Sequence, residues 1–383
     1  MRWKGIVMLL LLLISVFLAG CWDYLEIERL TFVLGIGVEQ IEPDFDMTIE
    51  AIKAGGGAQG SNLQSVVLTN KGQTFFSTAR LLTNLAGKRL FWAHAKVFIV
   101  SEDVARRGMV QAIELAVRDP DIRTSILVFV AKDCTVEEIY QSKPPVALSV
   151  TEHIVDLVEL RHRVPVSFPQ EIWQFRISLA ESGVSAVLPA IQLVHEGVDK
   201  VPVLEGSAIF KGEQMVGWLD GQETRFFALL MNETDRGPVV IPSLIHGQRG
   251  NLTYQIEYNQ VKIRPVVEGD QLGMAIDLKL QIDLSESGTL RLDFDDSSVI
   301  KALEEEFCVA VKGQIQSLLQ KIQREYNTDV FGFGRLLKRK HPEIWRVHAN
   351  DWDEVFKHLK VTVNVDAEIV STGILSKAIH LRN

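Results

Sequence analysis

The chain has 383 residues, of which 47% are hydrophobic and 23% are charged. This composition is that of a globular protein, and the length exceeds what one hydrophobic core usually holds, so two or three domains are expected. The formal net charge of −9 argues against nucleic-acid binding and against adsorption of the body to anionic lipid headgroups.

The first 20 residues have the pattern of an export signal. Arg2 and Lys4 precede an apolar run from Gly5 to Ala19. At ~1.5 Å per residue in a helix, this run is shorter than the roughly 20 apolar residues that span a bilayer. We therefore predict a cleaved signal peptide over residues 1–20, with an uncleaved anchor as the alternative. Without Arg2 and Lys4 the formal charge falls from −9 to −11.

The end of the signal resembles the lipobox of bacterial lipoproteins. Leu18, Ala19 and Gly20 precede Cys21, and small residues let extended backbone pass through the narrow cleft of a peptidase. In lipoproteins the cysteine receives a diacylglyceryl group and becomes the N-terminus after cleavage. Two acyl chains anchor a protein stably where one does not. We therefore predict diacylglycerol and acyl lipid on Cys21 and no other cofactor.

Residues 21–200 are predicted to form an N-terminal α/β region of one or two modules. Strands are predicted at residues 32–38, 47–53, 66–69, 90–100, 126–130 and 184–194. Helices are predicted at 73–85 and at 102–117, the second with Ser101 as its N-cap and acidic residues in its first turn. Strands that alternate with helices are typical of α/β proteins.

A helical stretch is predicted between residues 135 and 183, where it interrupts this alternation. Three pairs of residues match the capping box, in which a hydroxyl and a side chain three residues later bond each other's backbone N–H. The pairs are Thr135 with Glu138, Ser149 with Glu152, and Ser167 with Gln170. We expect each pair to begin a helix, the last of which ends at Gly183. The polar segment 195–201 is predicted to separate two domains.

Residues 201–383 are predicted to form a C-terminal α+β region. A hairpin turns at Gly212 and Glu213, and a long helix covers residues 297–326, with apolar residues along one face. A shorter helix is predicted at 222–231, and strands at 238–241, 254–267, 272–284 and 361–369. The predicted fold class is thus α/β and α+β, an elongated protein of three modules in which helices pack on mixed sheets.

Two patterns resemble catalytic or cofactor motifs. Gly55, Gly57 and Gly60 match the dinucleotide-binding fingerprint, but neither a helix nor a ribose-binding acid follows them, so a loop is preferred. Ser298 and Lys301 match the S-x-x-K of penicillin-interactive enzymes, but the other two boxes of those enzymes do not occur in the sequence. Ser298 is therefore interpreted as a helix cap, and no catalytic residue is predicted.

Two clusters of charged residues have structural as well as functional interpretations. Potential metal ligands crowd one helix, but their spacing is not that of a zinc helix, so a solvated face is preferred to a metal site. They are Glu152, His153, Asp156, Glu159 and His162. Lys338, Arg339, Lys340 and His341 form a basic cluster, interpreted as a solvated helix end or as a patch that meets a partner or headgroups. Cys134 and Cys308 are predicted to be buried free thiols, with a bridge between them as the alternative.

Motifs along nearly the whole mature chain resemble those of the Ger(x)C family, the lipoprotein subunits of endospore germinant receptors. Near the N-terminus they are Cys21-Trp22-Asp23, Glu26-Ile27, Leu30 and Gly35-Ile36-Gly37. Further along they are Arg89-Leu90-Phe91, His94, Glu102, Ala105, Gly108, Arg118-Asp119-Pro120, Arg123, Gly206-Ser207-Ala208-Ile209-Phe210-Lys211 and Val216-Gly217. The strongest match comprises Asp329-Val330-Phe331-Gly332-Phe333-Gly334, Pro342, Trp345, Trp352, Phe356 and residues 361–365. Ala93 departs from the glycine expected before His94.

The resemblance implies an α/β body of three modules on the outer face of the spore inner membrane. It implies assembly with the membrane-embedded A and B subunits of a germinant receptor and a role in nutrient-triggered germination, with no active site. From the residues themselves, the rings and glycines between Phe331 and Trp352 are interpreted as architectural, with partner docking as a second hypothesis. The alternative functions are a solute-binding lipoprotein of a transporter, which needs a deep cleft between lobes, and a cell-wall hydrolase, which needs clustered acids and bases.

Overall fold

Two β-sheets with helices packed on them make up the described part of the chain. The computed structural model describes residues 3–6, 8, 29–40, 42–53, 65–118, 120–233, 236–245, 248–269, 271–288, 290 and 292–372. The lipobox with Cys21, and the glycines at positions 55, 57 and 60, lie outside these ranges. The predicted fold class, helices packed on mixed sheets, is confirmed.

Ten strands of the described residues form the first sheet, in the order β10-β9-β8-β6-β5-β1-β2-β3, with β4 beside β1 and β7 beside β6. The four strands β8, β6, β5 and β1 run parallel, and antiparallel hairpins flank them on both sides. The strands are β1 (Leu30–Gln40), β2 (Phe45–Lys53), β3 (Ser65–Gly72), β4 (Arg89–Phe91), β5 (Val97–Val100), β6 (Leu127–Ala131), β7 (Gln170–Glu171), β8 (Val187–Glu196), β9 (Asp199–Lys211) and β10 (Gln214–Leu219).

Both faces of this sheet are buried. Phe98 and Val100 of β5 belong to one hydrophobic cluster, whereas Val97 and Ile99 belong to another. Since successive side chains of a strand point to opposite faces, the two clusters lie on opposite faces of the sheet. The helices of this half are α1 (Phe75–Ala86), α2 (Glu102–Arg107), α3 (Val110–Arg118), α4 (Val136–Gln141), α5 (Val150–Glu159) and α6 (Ile172–Ala180).

Three predicted elements of this half are wrong. The strand at 90–100 is β4 and β5 with a 3₁₀ turn, Trp92–His94, between them, and this turn contains Ala93. The helix at 102–117 is α2 and α3, because the chain turns at Gly108, whose φ of +147° is not helical. Ser167 and Gln170 do not begin a helix, since Gln170 pairs with Val128 in the sheet.

The other predicted caps of this half each accept the N–H of the residue three positions later. Ser101 accepts the N–H of Val104, and Thr135 forms the capping box with Glu138. Ser149 accepts the N–H of Glu152, but the Glu152 carboxylate accepts the N–H of Leu148 rather than that of Ser149. Local cap chemistry thus fixes where these helices begin, even where the reciprocal bond moves by one residue.

Four strands of the described residues form the second sheet, in the order β11-β12-β13-β14. They are β11 (Gly237–Ile245), β12 (Gln248–Glu268), β13 (Gln271–Glu286) and β14 (Lys360–Ser371), and only β14 runs parallel to its neighbour. The helices are α7 (Gly221–Leu230), α8 (Ser297–Lys321), α9 (Phe333–Lys340), α10 (Pro342–His348) and α11 (Trp352–His358). Helix α8 continues into a π-helical turn, Ile322–Tyr326, so the long helix predicted at 297–326 is confirmed.

The apolar face of α8 lies on the second sheet. Its buried residues recur at helical spacing from Val299 through Phe307 to Leu318, and Tyr254 of β12 packs edge-on against Phe307. In β14, Val363 and Ala367 are buried and the residues between them alternate in exposure. Among the described residues, no helix combines the length and the apolar composition that crossing a bilayer requires.

The first sheet continues past the predicted domain boundary. Strands β8 and β9 pair up to Glu196 and Asp199, so segment 195–201 contains the turn of a hairpin within one sheet. Residues Ala208 and Phe210 of β9 and Met215 of β10 are buried in the same cluster as Val33 and Phe98. The division of the chain at residue 200 stays a prediction.

Candidate functional site at the joint between the sheets

The segment between α8 and α9 joins the helices of the second half to the first sheet. The N–H of Ser185 donates to the backbone oxygen of Asp329 at 2.7 Å, and the N–H of Arg335 donates to the backbone oxygen of Gly183 at 2.8 Å. The hydroxyls of Thr328 and Ser185 lie 2.6 Å apart. These bonds hold the strongest motif of the sequence, residues 329–334, against the chain that leads into β8.

The carboxylate of Asp329 is buried at the centre of this joint. One oxygen accepts the N–H of Phe333 at 3.1 Å, and the other accepts the N–H of Gly334 at 2.8 Å and the indole N–H of Trp352 at 3.0 Å. Burial raises the pKa of Asp329 from 3.8 to about 6, while these N–H donors act to lower it. The group is therefore an anion at neutral pH, stabilised by the first turn of α9.

Close packing at the joint requires glycine at two positions. A Cβ on Gly334 would lie 2.7 Å from the Cα of Gly183 and from the indole nitrogen of Trp352. Gly332 has a φ of +70°, in the left-handed region that glycine adopts without strain. Phe331, Phe333 and Trp345 are buried with Trp352 in the core. The architectural interpretation of these rings and glycines is confirmed.

A second buried carboxylate ties two distant parts of the first half together. Glu50 of β2 accepts the N–H of Val150 at 2.8 Å and the N–H of Thr151 at 2.7 Å, so it caps α5 from 100 residues away. Beside it, the hydroxyl of Tyr140 donates to the backbone oxygen of Ile36 at 3.1 Å. Sequence reasoning missed Glu50, because nothing local in β2 distinguishes this glutamate from one on a solvated face.

Two glycines of the N-terminal motif are explained by this cluster. A Cβ on Gly35 would lie 2.5 Å from the hydroxyl oxygen of Thr151. A Cβ on Gly37 would overlap Val136, the first residue of α4. The Gly35-Ile36-Gly37 motif therefore lets α4 and α5 approach β1 closely, which is a packing role rather than a ligand-binding one.

The potential metal ligands on α5 do not converge. His153 lies 3.0 Å from the backbone oxygen of Pro202, whereas Glu152, Asp156, Glu159 and His162 are exposed. Within the described ranges, no group of three or more His, Cys, Asp or Glu side chains is placed to hold a metal ion. The solvated-face interpretation fits these positions.

The S-x-x-K pair lies in the first turn of α8. Asp296 is the N-cap of this helix, and the backbone N–H and the hydroxyl of Ser298 both donate to its carboxylate, at 2.8 and 2.7 Å. The interpretation of Ser298 as the cap is therefore wrong by two residues. The hydroxyl of Ser298 thus takes part in the capping interaction at the start of α8.

The basic cluster lies on the surface, and the two remaining cysteines are unbridged. Lys338, Arg339 and Lys340 are exposed in the last turn of α9, where positive charge complements the helix dipole. Cys134 and Cys308 are free, as predicted, and they are half-buried rather than buried. Burial raises the pKa of the Cys134 thiol to about 11, so this group is a poor nucleophile at neutral pH.

Two depressions in the surface bear on the predicted functions. The cleft between the halves, lined by Phe168, Phe227 and Arg335 among others, has a volume of about 260 Å³. This is smaller than the roughly 300–1,000 Å³ of typical ligand pockets, and the bonds of the Asp329 joint bridge its two sides. It therefore gives no support to a solute-binding protein.

A larger and mostly apolar groove runs between α3 and α6. It has a volume of about 720 Å³ and is lined by Val110, Ile113, Val117, Trp173, Arg176 and Ile177, among others. Val110, Trp173 and Ile177 are each more than 40% exposed. Exposed apolar patches that are rimmed by charged residues are typical of surfaces that contact other proteins.

Two family models together match most of the chain. Residues 23–193 match the spore germination protein N-terminal domain, and residues 205–373 match the spore germination B3/GerAC-like C-terminal domain. Similar proteins from Bacillus subtilis (strain 168) include spore germination protein YndF, 25% identical over 96% of both chains, and spore germination protein B3, 23% identical over 94% of this chain and 96% of that one. Spore germination protein KC is 22% identical over 98% of both.

A solved structure has the same fold. The crystal structure of the GerBC protein superposes with a TM-score of 0.60 and covers 88% of this chain and 97% of its own, at 18% sequence identity. The residues that the two family models match include strands of both sheets described above.

Proposed function

Because this chain belongs to the Ger(x)C family of spore germination proteins, we propose that it is the lipid-anchored, non-catalytic subunit of a spore germinant receptor. Lipid on Cys21 holds the mature body on the outer face of the spore inner membrane. There the body docks on the membrane-embedded A and B subunits, and nutrient-triggered germination requires it. One observation carries the proposal: residues 18–21 resemble a lipobox, in a chain that spore germination proteins match over 94–98% of its length.

The anchor gives weak contacts with membrane partners a large effect. Two acyl chains hold a protein at a bilayer stably. A tethered body then meets its partners at a high effective concentration, so a modest docking surface is sufficient. The apolar groove between α3 and α6 supports such a role, since Trp173 and Ile177 present apolar area on the surface.

The chemistry of the described side chains supports a non-catalytic role. Asp329, the buried acid with a raised pKa, is fully engaged with the backbone of α9 and with Trp352. Cys134 has a pKa raised by burial, and Ser298 is bonded to Asp296. The bonds of Asp329 and of Ser298 are those of helix starts, and the raised pKa of Cys134 disfavours the thiolate that a nucleophilic cysteine needs.

The anchor is tested by mass spectrometry and fractionation of the protein from spore membranes. We expect the native chain to begin at Cys21 and to carry acyl lipid there, and we expect Cys21→Ala to abolish lipidation and impair germination. Cys134→Ala removes a thiol elsewhere and serves as the matched control. A chain that retains residues 1–20 with an unmodified Cys21, or normal germination of the Cys21→Ala strain, would refute the role of the lipid.

Docking is tested by site-specific photo-crosslinking in intact spore membranes. A photoreactive residue at Ile177, in the groove, is expected to crosslink to a membrane-embedded receptor subunit. The control position is Val309, an exposed residue of α8. Equal crosslinking from the two positions, or none from Ile177, would exclude the groove as the docking surface, while the anchor would be judged by the experiment above.

A further inference from the structure

The charges of this acidic protein are not evenly distributed. Residues 51–101 contain no aspartate or glutamate, but they contain six basic residues: Lys53, Lys71, Arg80, Lys88, Arg89 and Lys96. Since the whole chain has a formal charge of −9, the other residues carry −15. One segment of the first half thus has the opposite sign to the rest of the molecule.

Helix α1, within this segment, exposes apolar side chains next to arginine. It buries Phe75, Thr78 and Leu82 against the sheet. On its outer face, Phe76 is 63% exposed, Leu81 42% and Leu85 57%. The guanidinium of Arg80 lies 5.0 Å from the centre of the Phe76 ring. We call Phe76, Arg80, Leu81, Leu85 and Arg89 the α1 surface.

Leu85 and Arg89 of the α1 surface lie near Leu30, where the described chain follows the N-terminal segment. Helix α1 begins near the paired residues Phe45 and Gly72 and runs back towards the start of β1. Immediately after the helix, Arg89 of β4 pairs with Leu30 of β1. Only eight residues separate Cys21 from Leu30, and the nine steps from one to the other reach at most about 30 Å.

We propose that the α1 surface is a second membrane contact of this protein and binds the anionic headgroups of the bilayer that holds its lipid. This inference rests on the proposed anchor. Phenylalanine and leucine beside arginine are the side chains of helices that lie in the interface of anionic membranes. The acidic body does not cancel the attraction, because charges more than about 10 Å from the headgroups are screened at physiological salt. The lipid keeps the body close to the bilayer, and the α1 contact fixes which side of the body faces it.

The proposal is tested with the mature lipidated protein in vesicles, carrying a polarity-sensitive fluorophore at Leu85→Cys. The control label is at Val198→Cys, which lies in the β8–β9 turn and is 98% exposed. We compare vesicles in which about a third of the lipid is phosphatidylglycerol with pure phosphatidylcholine vesicles. We expect a blue shift at position 85 in the anionic vesicles only, weakened when salt is raised from about 0.1 M to about 0.5 M, and no shift at position 198.

A charge variant makes the test specific to the α1 surface. Each basic residue near an anionic surface contributes roughly a fivefold preference for the docked state, so Arg80→Gln with Arg89→Gln is expected to lower the ratio of docked to undocked protein about 25-fold. Arg339→Gln with Lys340→Gln removes two exposed charges from α9 and should leave the shift unchanged.

Co-flotation with the vesicles measures the anchor separately. Protein that floats with anionic vesicles but shows no blue shift at position 85 overturns the α1 contact and leaves the anchor standing. A blue shift at position 85 that occurs only when membrane-embedded receptor subunits are present also overturns the α1 contact with lipid, since the α1 surface would then bind protein. Protein that fails to float overturns the anchor instead.

Discussion

Asp329 and Glu50 are two buried carboxylates that do the same task over different distances along the chain. Each accepts backbone N–H groups from the first turn of a helix. Asp329 bonds residues four and five positions later, whereas Glu50 bonds residues 100 and 101 positions later. The first belongs to a short motif that the sequence makes visible. The second exists only because the sheet brings β2 beside the start of α5.

The two groups also differ in how many donors depend on them. Asp329 has three bonded N–H groups, including the indole of Trp352, and it connects the two halves of the molecule. Glu50 has two, both within the first half. Removing a buried acceptor leaves its N–H donors without a partner, and each such donor costs free energy. Removal of the Asp329 carboxylate should therefore lower the free energy of unfolding more than removal of the Glu50 carboxylate.

The largest expected effect is that of Asp329→Ala. Stranding three buried donors at about 1–3 kcal/mol each should lower the free energy of unfolding by about 4 kcal/mol. Urea denaturation of the mature protein measures this loss. Glu50→Ala is measured in parallel. A smaller loss for Asp329→Ala than for Glu50→Ala would contradict the idea that the cost follows the number of donors left unpaired.

The pH dependence of stability should be the next largest effect. The folded pKa of Asp329, about 6, lies above its ordinary value of 3.8. The contribution of this group is therefore fully present below about pH 4 and is lost as the pH rises to about 6, a change of roughly 3 kcal/mol. Asp329→Asn, which does not titrate, should lack this component. The free energy of unfolding is measured between pH 4 and 6 for the unmodified protein and for Asp329→Asn. The same pH dependence in both would contradict the assignment of this component to Asp329.

Glu50→Gln should have a smaller effect of about 2 kcal/mol, because the amide oxygen still accepts one N–H while the amide nitrogen opposes the other. Ser149→Ala, which removes the local cap of the same helix, is the control and should cost about 1 kcal/mol. Denaturant midpoints of both variants compare the distant cap with the local one. A larger loss for Ser149→Ala would show that the distant carboxylate is secondary.

The smallest expected effect is that of Gly334→Ala, a loss of about 1–2 kcal/mol from the added methyl group between Gly183 and Trp352. Gly313→Ala is the matched control, since this glycine lies within α8 and has nothing within 4 Å of an added Cβ. The control should stabilise the protein by about 0.5–1 kcal/mol through helix propensity. Thermal unfolding of the pair separates packing from propensity, and shifts of equal sign would contradict close packing at the joint.

Features with a local cause could be predicted from the sequence. The 3.6-residue period of α8, the alternation along β14 and the hydroxyl caps at Ser101 and Thr135 each depend on residues close together in the chain. All four are present in the structure.

Features with a distant cause could not be predicted. The turn at Gly108 depends on the backbone of Glu213, which bonds Met109. The pairing of Gln170 with Val128 overrides a good capping-box pattern at Ser167. The cap by Glu50 requires the folded sheet. The candidate joint was visible as a motif around Asp329, but its partner segment, Gly183–Ser185, carried no signal beyond a single glycine.

The hairpin of β8 and β9 constrains how this protein can be dissected or recombined. The family boundary falls between residues 193 and 205, yet β9 and β10 complete the first sheet and bury Phe210 and Met215 in its core. A fragment that stops at this boundary would expose an open strand edge, which favours aggregation. Chimaeras between relatives should therefore exchange residues up to the end of β10 as one inherited unit.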